Sequence, residues 1–331
     1  MQGSALALTM VILATGFAGG QSPPSAPPPQ NPPSQTQKPE SSRTTIRRRV
    51  EVVNMVFSVL DRKNRFVTDL GRDDFKVFED KRPQSIQYFS REMDLPLRIG
   101  MLIDTSNSVR ERFQFEQEAA IDFFYNVLRR GKDKAFLMSF DIEPAVVQDF
   151  TDDAETLAKA VRSLRPGGGT TLFDAIYLAA RNKLSQPNPE EQNYRRVLIV
   201  ISDGQDTFSR VARSDSLEMA ERAEVAIYTI STNIESLSVS TATPEKIHLA
   251  EGDKILKELA DSTGGRSFFP YRAEDLSQSF EDIGLELRSQ YSLGFRPTQL
   301  VADGRFHGVE IVTERKGVKV RTRRGYYAPK D

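Results

Sequence analysis

Residues 97–108 read LRIGMLIDTSNS, a mostly apolar run that ends in an aspartate and two alternating serines. A run of this kind is typical of a strand that is buried on both faces of a parallel sheet. Asp104 ends the run, and Ser106 and Ser108 follow it at alternate positions. In a tight loop, alternate side chains point to the same side, so these three are placed to bind one ion.

Apolar strands and amphipathic helices alternate after this stretch. Ala120, Phe123, Phe124 and Val127 fall at positions i, i+3, i+4 and i+7 of one helical face. RRVLIVIS at 195–202 is again a buried strand, and further strands and helices follow it. Strands that alternate with helices predict a Rossmann-like, doubly wound, mostly parallel α/β sheet.

Strand-like patterns lie on both sides of this α/β region, and we expect the two flanks to form one small β-sandwich. VEVVNMVFSVLD lies before it, and QYSLGFRP, FHGVEIVTE and GVKVRTRRGYY after it read as a β meander. The chain therefore divides into a signal peptide at 1–20, a Pro-rich disordered linker at 21–44, a β module at 45–95, the α/β domain at 96–288, and a β segment at 289–331 that packs with 45–95.

The amino-terminal residues predict export. MQGSALALTMVILATGFAGG has a short apolar core followed by small residues, as in a secretory signal peptide, although no Lys or Arg precedes the core. An uncleaved membrane anchor is the alternative. The next stretch, QSPPSAPPPQNPPSQTQKPE, cannot bury a core. We expect a secreted, periplasmic or cell-envelope protein with no membrane insertion after signal cleavage.

Composition excludes several kinds of chemistry. The chain has no cysteine, which rules out disulfides and thiolate sites. The two histidines, His248 and His307, are far apart in sequence, which disfavours a histidine-rich metal site or a catalytic triad. The formal net charge is -1, so we expect no nucleic-acid partner.

Two later loops complete the pattern that begins at Asp104. Thr170 lies in GGGTTLFDAI at the start of a helix, and Asp203 ends the strand VLIVISDG. Ligands of open α/β sheets bind at the carboxyl ends of the strands. Hydroxyl and carboxylate oxygens suit a hard divalent cation, Mg²⁺ first and then Mn²⁺ or Ca²⁺. With so few carboxylates, the ion can accept an Asp or Glu carboxylate from a protein partner.

Other polar residues near the predicted ligands are interpreted as caps, turn residues or rim residues. The DTSNS stretch by itself is also compatible with a loop that caps a helix. We interpret Thr171 as the helix cap, with Asp174 completing a capping box. Asp206 is interpreted as a turn residue and Asp141 as a residue at the rim of the site.

The three loops resemble the metal-ion-dependent adhesion site of von Willebrand factor type A domains. The matching motifs are DTSNS, GGGTT and SDG, and the resemblance covers residues 97–287. It implies that Ser106, Ser108 and Thr170 bind the ion through their hydroxyls, and that Asp104 and Asp203 bind it directly or through water. VFEDKRPQSIQYFS and RRGYYAP resemble a narrower group of bacterial, acidobacterial-type VWFA-related proteins, for which no ligand is implied.

These observations predict an extracytoplasmic, metal-dependent binding or adhesion protein rather than an enzyme. No Gly-x-Ser-x-Gly elbow and no His-Glu-x-x-His motif is present. A scaffolding module of the cell envelope with a stabilising or vestigial metal site is the first alternative, and a hydrolase is the less favoured one. The predicted signal peptide argues against an intracellular chelatase-type subunit.

Overall fold

The computed structural model describes residues 52–91, 95–185, 194–233, 249–270, 272–298 and 302–330. The predicted signal peptide and Pro-rich linker lie outside these residues, as does most of the polar stretch between Asn233 and Gly252.

The described residues form fourteen strands and six α-helices. The strands are β1 (Val53–Asp61), β2 (Phe75–Glu79), β3 (Arg82–Gln84), β4 (Ile86–Arg91), β5 (Leu97–Asp104), β6 (Lys134–Phe140), β7 (Pro144–Thr151), β8 (Arg195–Ser202), β9 (Val225–Ser231), β10 (Ser267–Phe268), β11 (Tyr291–Phe295), β12 (Phe306–Thr313), β13 (Val318–Thr322) and β14 (Gly325–Tyr327). The helices are α1 (Phe113–Val127), α2 (Ala154–Ser163), α3 (Leu172–Leu178), α4 (Arg213–Arg222), α5 (Glu251–Thr263) and α6 (Ala273–Leu287).

A six-stranded sheet forms the centre of the α/β region, in the order β10-β9-β8-β5-β6-β7. All neighbouring strands are parallel except β7, which runs antiparallel to β6. Every residue of β5 is buried, because α1, α2 and α6 cover one face of the sheet and α3, α4 and α5 cover the other. The predicted fold class is confirmed.

The strand order reverses at β5, which lies between β6 and β8. The connections from β5 leave toward β6, whereas the chain returns on the other side to form β8. Open α/β sheets bind ligands in the crevice at such a switch point, outside the carboxyl ends of the strands. The fold thus places the carboxyl ends of β5 and β8 next to each other.

Two antiparallel sheets, β13-β1-β11-β4 and β14-β12-β2-β3, flank the α/β region. Phe57, Phe75, Tyr291 and Ile311 belong to one core shared by both sheets. The carboxyl-terminal strands enter the two sheets in turn, since β11 and β13 pair with β1 whereas β12 pairs with β2. The expected β meander is therefore wrong, because the consecutive strands β11, β12 and β13 do not pair with one another, and β12 pairs with β14 and β2 in the other sheet. The boundaries of the domains stay a prediction.

A buried polar cluster joins the end of α6 to the sandwich. Glu286 is fully buried, and its Oε1 accepts hydrogen bonds from Ser58 Oγ at 2.9 Å and Arg321 Nη2 at 2.6 Å. Gln290 Nε2 donates to Ser58 Oγ and to the hydroxyl of Tyr228 on β9. The sandwich and the α/β layer pack together within one compact unit, Arg49–Asp331.

A second buried carboxylate ties the same end of α6 to the start of β5. Asp133 accepts hydrogen bonds from Leu97 N at 2.8 Å, Arg129 Nε at 2.8 Å and Arg288 Nη2 at 2.6 Å. Burial alone would raise the pKa of Asp133, but the hydrogen bonds from Arg129, Leu97 and Arg288 lower it below its usual value. None of the described helices is both long enough and apolar enough to cross a membrane.

Candidate metal centre

Asp104 is the last residue of β5, and its carboxylate is fixed by two hydrogen bonds. Ser106 N donates to Oδ1 at 2.9 Å, and Ser202 Oγ donates to Oδ2 at 2.7 Å. The side chain is fully buried. Because Ser202 ends β8, this contact links the carboxyl ends of the two strands at the switch point.

Ser106 and Ser108 lie on the turn that follows Asp104. Their hydroxyl oxygens are 2.8 Å apart. The 3₁₀ turn Asn107–Val109 brings the alternate side chains to one side. Ser106 is buried and Ser108 is exposed, so the pair reaches from the buried carboxylate to the surface.

The loop that carries Thr170 is bonded directly to the Asp104 loop. Gly167 N donates to Thr105 O at 2.6 Å, and Asn107 N donates to Gly168 O at 3.3 Å. Gly168 has a φ of +88°, a left-handed conformation that disfavours any residue with a Cβ. Thr170 is 4% exposed.

Asp203 follows β8 and opens a tight loop. Its Oδ1 accepts a hydrogen bond from Gln205 N at 2.9 Å. Gly204 has a φ of +77°, and a Cβ on it would lie 2.2 Å from the carbonyl oxygen of Gly252. Thr207 N then donates to Thr170 O at 3.0 Å. The structure thus brings the loops of the predicted site residues together at one edge of the sheet.

Burial and the neighbouring charge both act on the carboxylate of Asp104. Burial raises the pKa of Asp104 to about 6, although hydrogen bonds from Ser106 and Ser202 lower it, and the negative charge of Asp203 raises it further. A buried carboxylate with a raised pKa is short of compensating positive charge. A divalent cation would supply that charge, so the residues present fit the predicted ion.

The chemistry of the donors also fits. Asp104 and Asp203 supply carboxylate oxygens, and Ser106, Ser108 and Thr170 supply hydroxyl oxygens, which are the ligand types of Mg²⁺, Mn²⁺ and Ca²⁺. Among the described residues, no group of three or more His, Asp or Glu side chains could hold a metal ion. A metal site at this edge would therefore depend on the hydroxyls.

The predicted capping box at Thr171 is wrong. Thr171 does occupy the cap position of α3, but its side chain makes no capping bond and donates instead to Asp141 O at 3.0 Å. The Asp174 carboxylate accepts from the backbone of Arg210 and Val211. Asp206, interpreted as a turn residue, accepts from Phe173 N at 3.0 Å. The loop after Asp203 supplies the cap, so tertiary contact replaces the local motif.

Glu116 is a further carboxylate near the centre that the sequence analysis missed. It is 1% exposed, and neither carboxylate oxygen has a hydrogen-bond partner among the described residues. Burial raises its pKa to about 8, with Asp104 and Asp203 raising it further and Arg112 lowering it. Its position, three residues after Phe113 and four before Ala120, is in the apolar stripe of α1. A charged residue within an apolar helical stripe can be seen in the sequence alone, and it indicates a buried charge.

Glu116 also lines a cavity of about 110 Å³ at the same edge of the sheet. The cavity lies between α1, the end of β9 and the start of α6. Its wall consists of Arg112, Phe115, Glu116, Ser231, Thr232, Pro270, Arg272 and Leu276. Arg112, the cation that lowers the pKa of Glu116, is part of the same wall.

A family model matches the part of the chain that carries the candidate centre. The family model of the von Willebrand factor type A domain matches residues 99–205, which include all five predicted site residues. A search of curated proteins found no match.

Three solved structures align with parts of the chain at low identity. An aerotolerance-related membrane protein from Bacteroides fragilis is 17% identical with a TM-score of 0.44, covering 58% of this chain and 98% of its own. Proximal thread matrix protein 1 from the mussel byssus, with a zinc-occupied MIDAS motif, is 16% identical with a TM-score of 0.46, covering 62% and 48%. The PilB minor pilin from Streptococcus sanguinis is 14% identical with a TM-score of 0.44, covering 63% and 64%.

The matched residues run from β5 through the loops after β5 and β8. They cover the switch point and the carboxylate–hydroxyl cluster described above. Within residues 99–205 the chain therefore matches the von Willebrand factor type A domain.

Proposed function

We propose that this protein is a metal-dependent binding or adhesion protein and not an enzyme. In this proposal Asp104, Ser106, Ser108, Thr170 and Asp203 hold one divalent cation, Mg²⁺ by preference. The observation that carries the proposal is the fully buried carboxylate of Asp104 beside the Ser106–Ser108 hydroxyl pair, which reaches the surface.

The ion would serve as a docking point for a protein partner. Two carboxylates neutralise a divalent cation only formally, and three hydroxyls add no charge, so the ion keeps its affinity for another anionic oxygen. Ser108 is exposed, which opens this side of the cluster to solvent. An Asp or Glu carboxylate of a partner is the anionic group that proteins offer.

The positions of the histidines favour binding over hydrolysis. His307 lies on β12 of the sandwich, where its Nδ1 is 2.9 Å from Asp80 Oδ2, and so does not belong to the candidate centre. His248 lies outside the described residues. Hydrogen bonds from Ser106 N and Ser202 Oγ fix the fully buried carboxylate of Asp104, which suits a metal ligand better than a mobile base.

We also propose that the protein acts outside the cytoplasm. The support is the signal-peptide pattern at 1–20 and the Pro-rich segment after it, which would space the folded unit from the cell surface.

Calorimetric titration of Mg²⁺ and Mn²⁺ into the full chain tests the metal site. We expect saturable binding that Asp104→Ala abolishes and Ser108→Ala weakens by roughly 10–100-fold, as for the loss of other groups that support a metal. Ser163→Ala is the matched control, because Ser163 is an exposed serine at the end of α2. Unchanged affinity in Asp104→Ala would refute the assignment.

Measuring partner binding with and without a chelator distinguishes an adhesion site from a scaffold in which the ion only stabilises the fold. An adhesion site predicts that chelation removes partner binding while the chain stays folded. A stabilising site predicts a lower melting temperature on chelation with partner binding intact.

A further inference from the structure

Two large apolar side chains flank the exposed side of the candidate centre. Ile142, in the turn between β6 and β7, is 56% exposed, and Phe208, in the loop after Asp203, is 57% exposed. Isolated exposed apolar residues are ordinary on protein surfaces. These two differ because they border successive residues of the same short loop, the one that carries Thr170.

Contacts fix both side chains against this loop. A Cβ on Gly168 would lie 3.1 Å from Cγ1 of Ile142, and a Cβ on Gly169 would lie 2.2 Å from the ring of Phe208. Phe208 N also donates to Thr170 O at 3.0 Å. The absence of side chains at both glycines lets the apolar groups approach the backbone beside a proposed ligand.

A positive charge lies beside the Ser106–Ser108 turn. Arg110 is exposed, and its Nη2 donates to Asn107 Oδ1 and Pro166 O, both at 3.1 Å. These contacts hold the guanidinium beside the turn without neutralising it. A ligand that reaches the ion thus meets a cation beside the turn and apolar side chains beside the Thr170 loop.

We infer that this surface binds an extended peptide segment of a partner protein in which a Glu or Asp is adjacent to a large apolar residue. The carboxylate reaches the ion beside Ser108, and the apolar side chain packs on Ile142 and Phe208. The charge of Arg110 complements the acidic segment. This inference rests on the proposed function and adds the sequence preference of the partner.

Short peptides with matched sequences test the inference. The probes are acetyl-Gly-Leu-Glu-Gly-amide, acetyl-Gly-Ser-Glu-Gly-amide and acetyl-Gly-Leu-Gln-Gly-amide. Each is titrated into the Mn²⁺-loaded full chain, and water-proton relaxation reports the displacement of water from Mn²⁺. Burial of about 60 Å² of apolar surface by the leucine predicts roughly tenfold tighter binding than for the serine peptide. The glutamine peptide should not displace water.

Phe208→Ser, Ile142→Ser and the combination of the two locate the apolar contact. Phe208→Ser and Ile142→Ser should each reduce the preference for leucine over serine, and together they should remove it, with Mn²⁺ affinity unchanged. Leu285→Ser is the matched control, because Leu285 is 59% exposed at the far end of α6, and it should leave the preference intact. Affinity for the serine peptide should stay the same in all three variants.

The outcomes separate this inference from the proposed function. Absence of Mn²⁺ binding by the unaltered chain, or normal binding by Asp104→Ala, overturns the proposed function and this inference with it. Normal Mn²⁺ binding with equal affinity for the leucine and serine peptides overturns the inference alone. So does a leucine preference that survives the double variant, or Mn²⁺-dependent self-association that Phe208→Ser abolishes, since the occupant is then a second copy of the chain.

Discussion

Replacing Glu116 by glutamine should stabilise the metal-free protein, and the gain should grow with pH. An unfolded glutamate has a pKa of about 4.3, whereas burial raises the pKa of Glu116 to about 8. Between these values the unfolded chain has lost the proton and the folded chain still holds it, so the free energy of unfolding falls as pH rises. Below pH 4 both states hold the proton and the effect disappears.

The magnitude follows from the two pKa values. At about 1.4 kcal/mol per pKa unit, the folded state is disfavoured by about 1 kcal/mol at pH 5 and by 4–5 kcal/mol at pH 8. Glutamine keeps the shape of the side chain and cannot ionise. Its buried amide carries its own desolvation penalty, but that penalty does not depend on pH. The stability advantage of Glu116→Gln should therefore grow by about 3 kcal/mol between pH 5 and pH 8.

Urea unfolding in the presence of EDTA at both pH values measures this change. EDTA is needed because a bound cation would favour the ionised carboxylate and hide part of the effect. Glu118→Gln is the matched control, since Glu118 is an exposed residue of the same helix, and it should change stability equally at both pH values. If the advantage of Glu116→Gln differs by less than about 1 kcal/mol between pH 5 and pH 8, the reasoning about its burial is wrong.

Three further predictions concern the loops and the core. Ser202→Ala removes the hydrogen bond to Asp104 and should weaken Mg²⁺ affinity by about tenfold, as measured by calorimetry. If the variant binds Mg²⁺ as tightly as the unaltered chain, that hydrogen bond does not support the site. Gly204→Ala should lower the free energy of unfolding in urea by about 2–4 kcal/mol, because its Cβ would meet backbone at 2.2 Å, whereas Gly167→Ala, with no atom within 4 Å of its Cβ, should be nearly neutral. Asp133→Asn should lower the free energy of unfolding by about 3 kcal/mol at pH 7, because it removes the negative charge that faces two arginines. The folded state lowers the pKa of Asp133, so this loss of stability should shrink as pH falls through 4. A loss that is the same at pH 3 would contradict the ion-pair explanation.

The sequence predicts the α/β fold because its strands are short, apolar and separated by helical patterns. The run before Asp104 requires burial on both faces, which only a sheet covered by helices provides. The pairing of the flanking strands could not be predicted in the same way. β11 and β13 both pair with β1, and such distant partners leave no trace in local periodicity.

The candidate centre, like the fold, could be predicted from the sequence only in part. Asp104, Ser106 and Ser108 could be grouped from spacing alone, and the carboxyl-end rule brought Thr170 and Asp203 to the same edge. Their binding of a metal remains a prediction. The prediction for the cap of α3 was wrong because Asp206 caps this helix instead of Thr171. Asp206 accepts a hydrogen bond from Phe173 N, which lies 33 positions earlier in the chain, and such a distant contact cannot be predicted from a local motif. The place of Glu116 in the apolar stripe of α1 is visible in the sequence, but its closeness to Asp104 and Asp203 depends on tertiary packing.

The shared sandwich has a consequence for when the protein can fold. Ser58 on β1 and its partner Glu286 on α6 are 228 positions apart, and both strands that pair with β1 come later still. While the chain is being synthesised, β1 cannot pair with β11 before Phe295 has emerged or complete its pairing with β13 before Thr322 has emerged. If the chain is exported through a narrow translocation channel, this delay keeps its amino-terminal part unfolded during passage. The complete unit would then close only on the far side, when its final strands arrive.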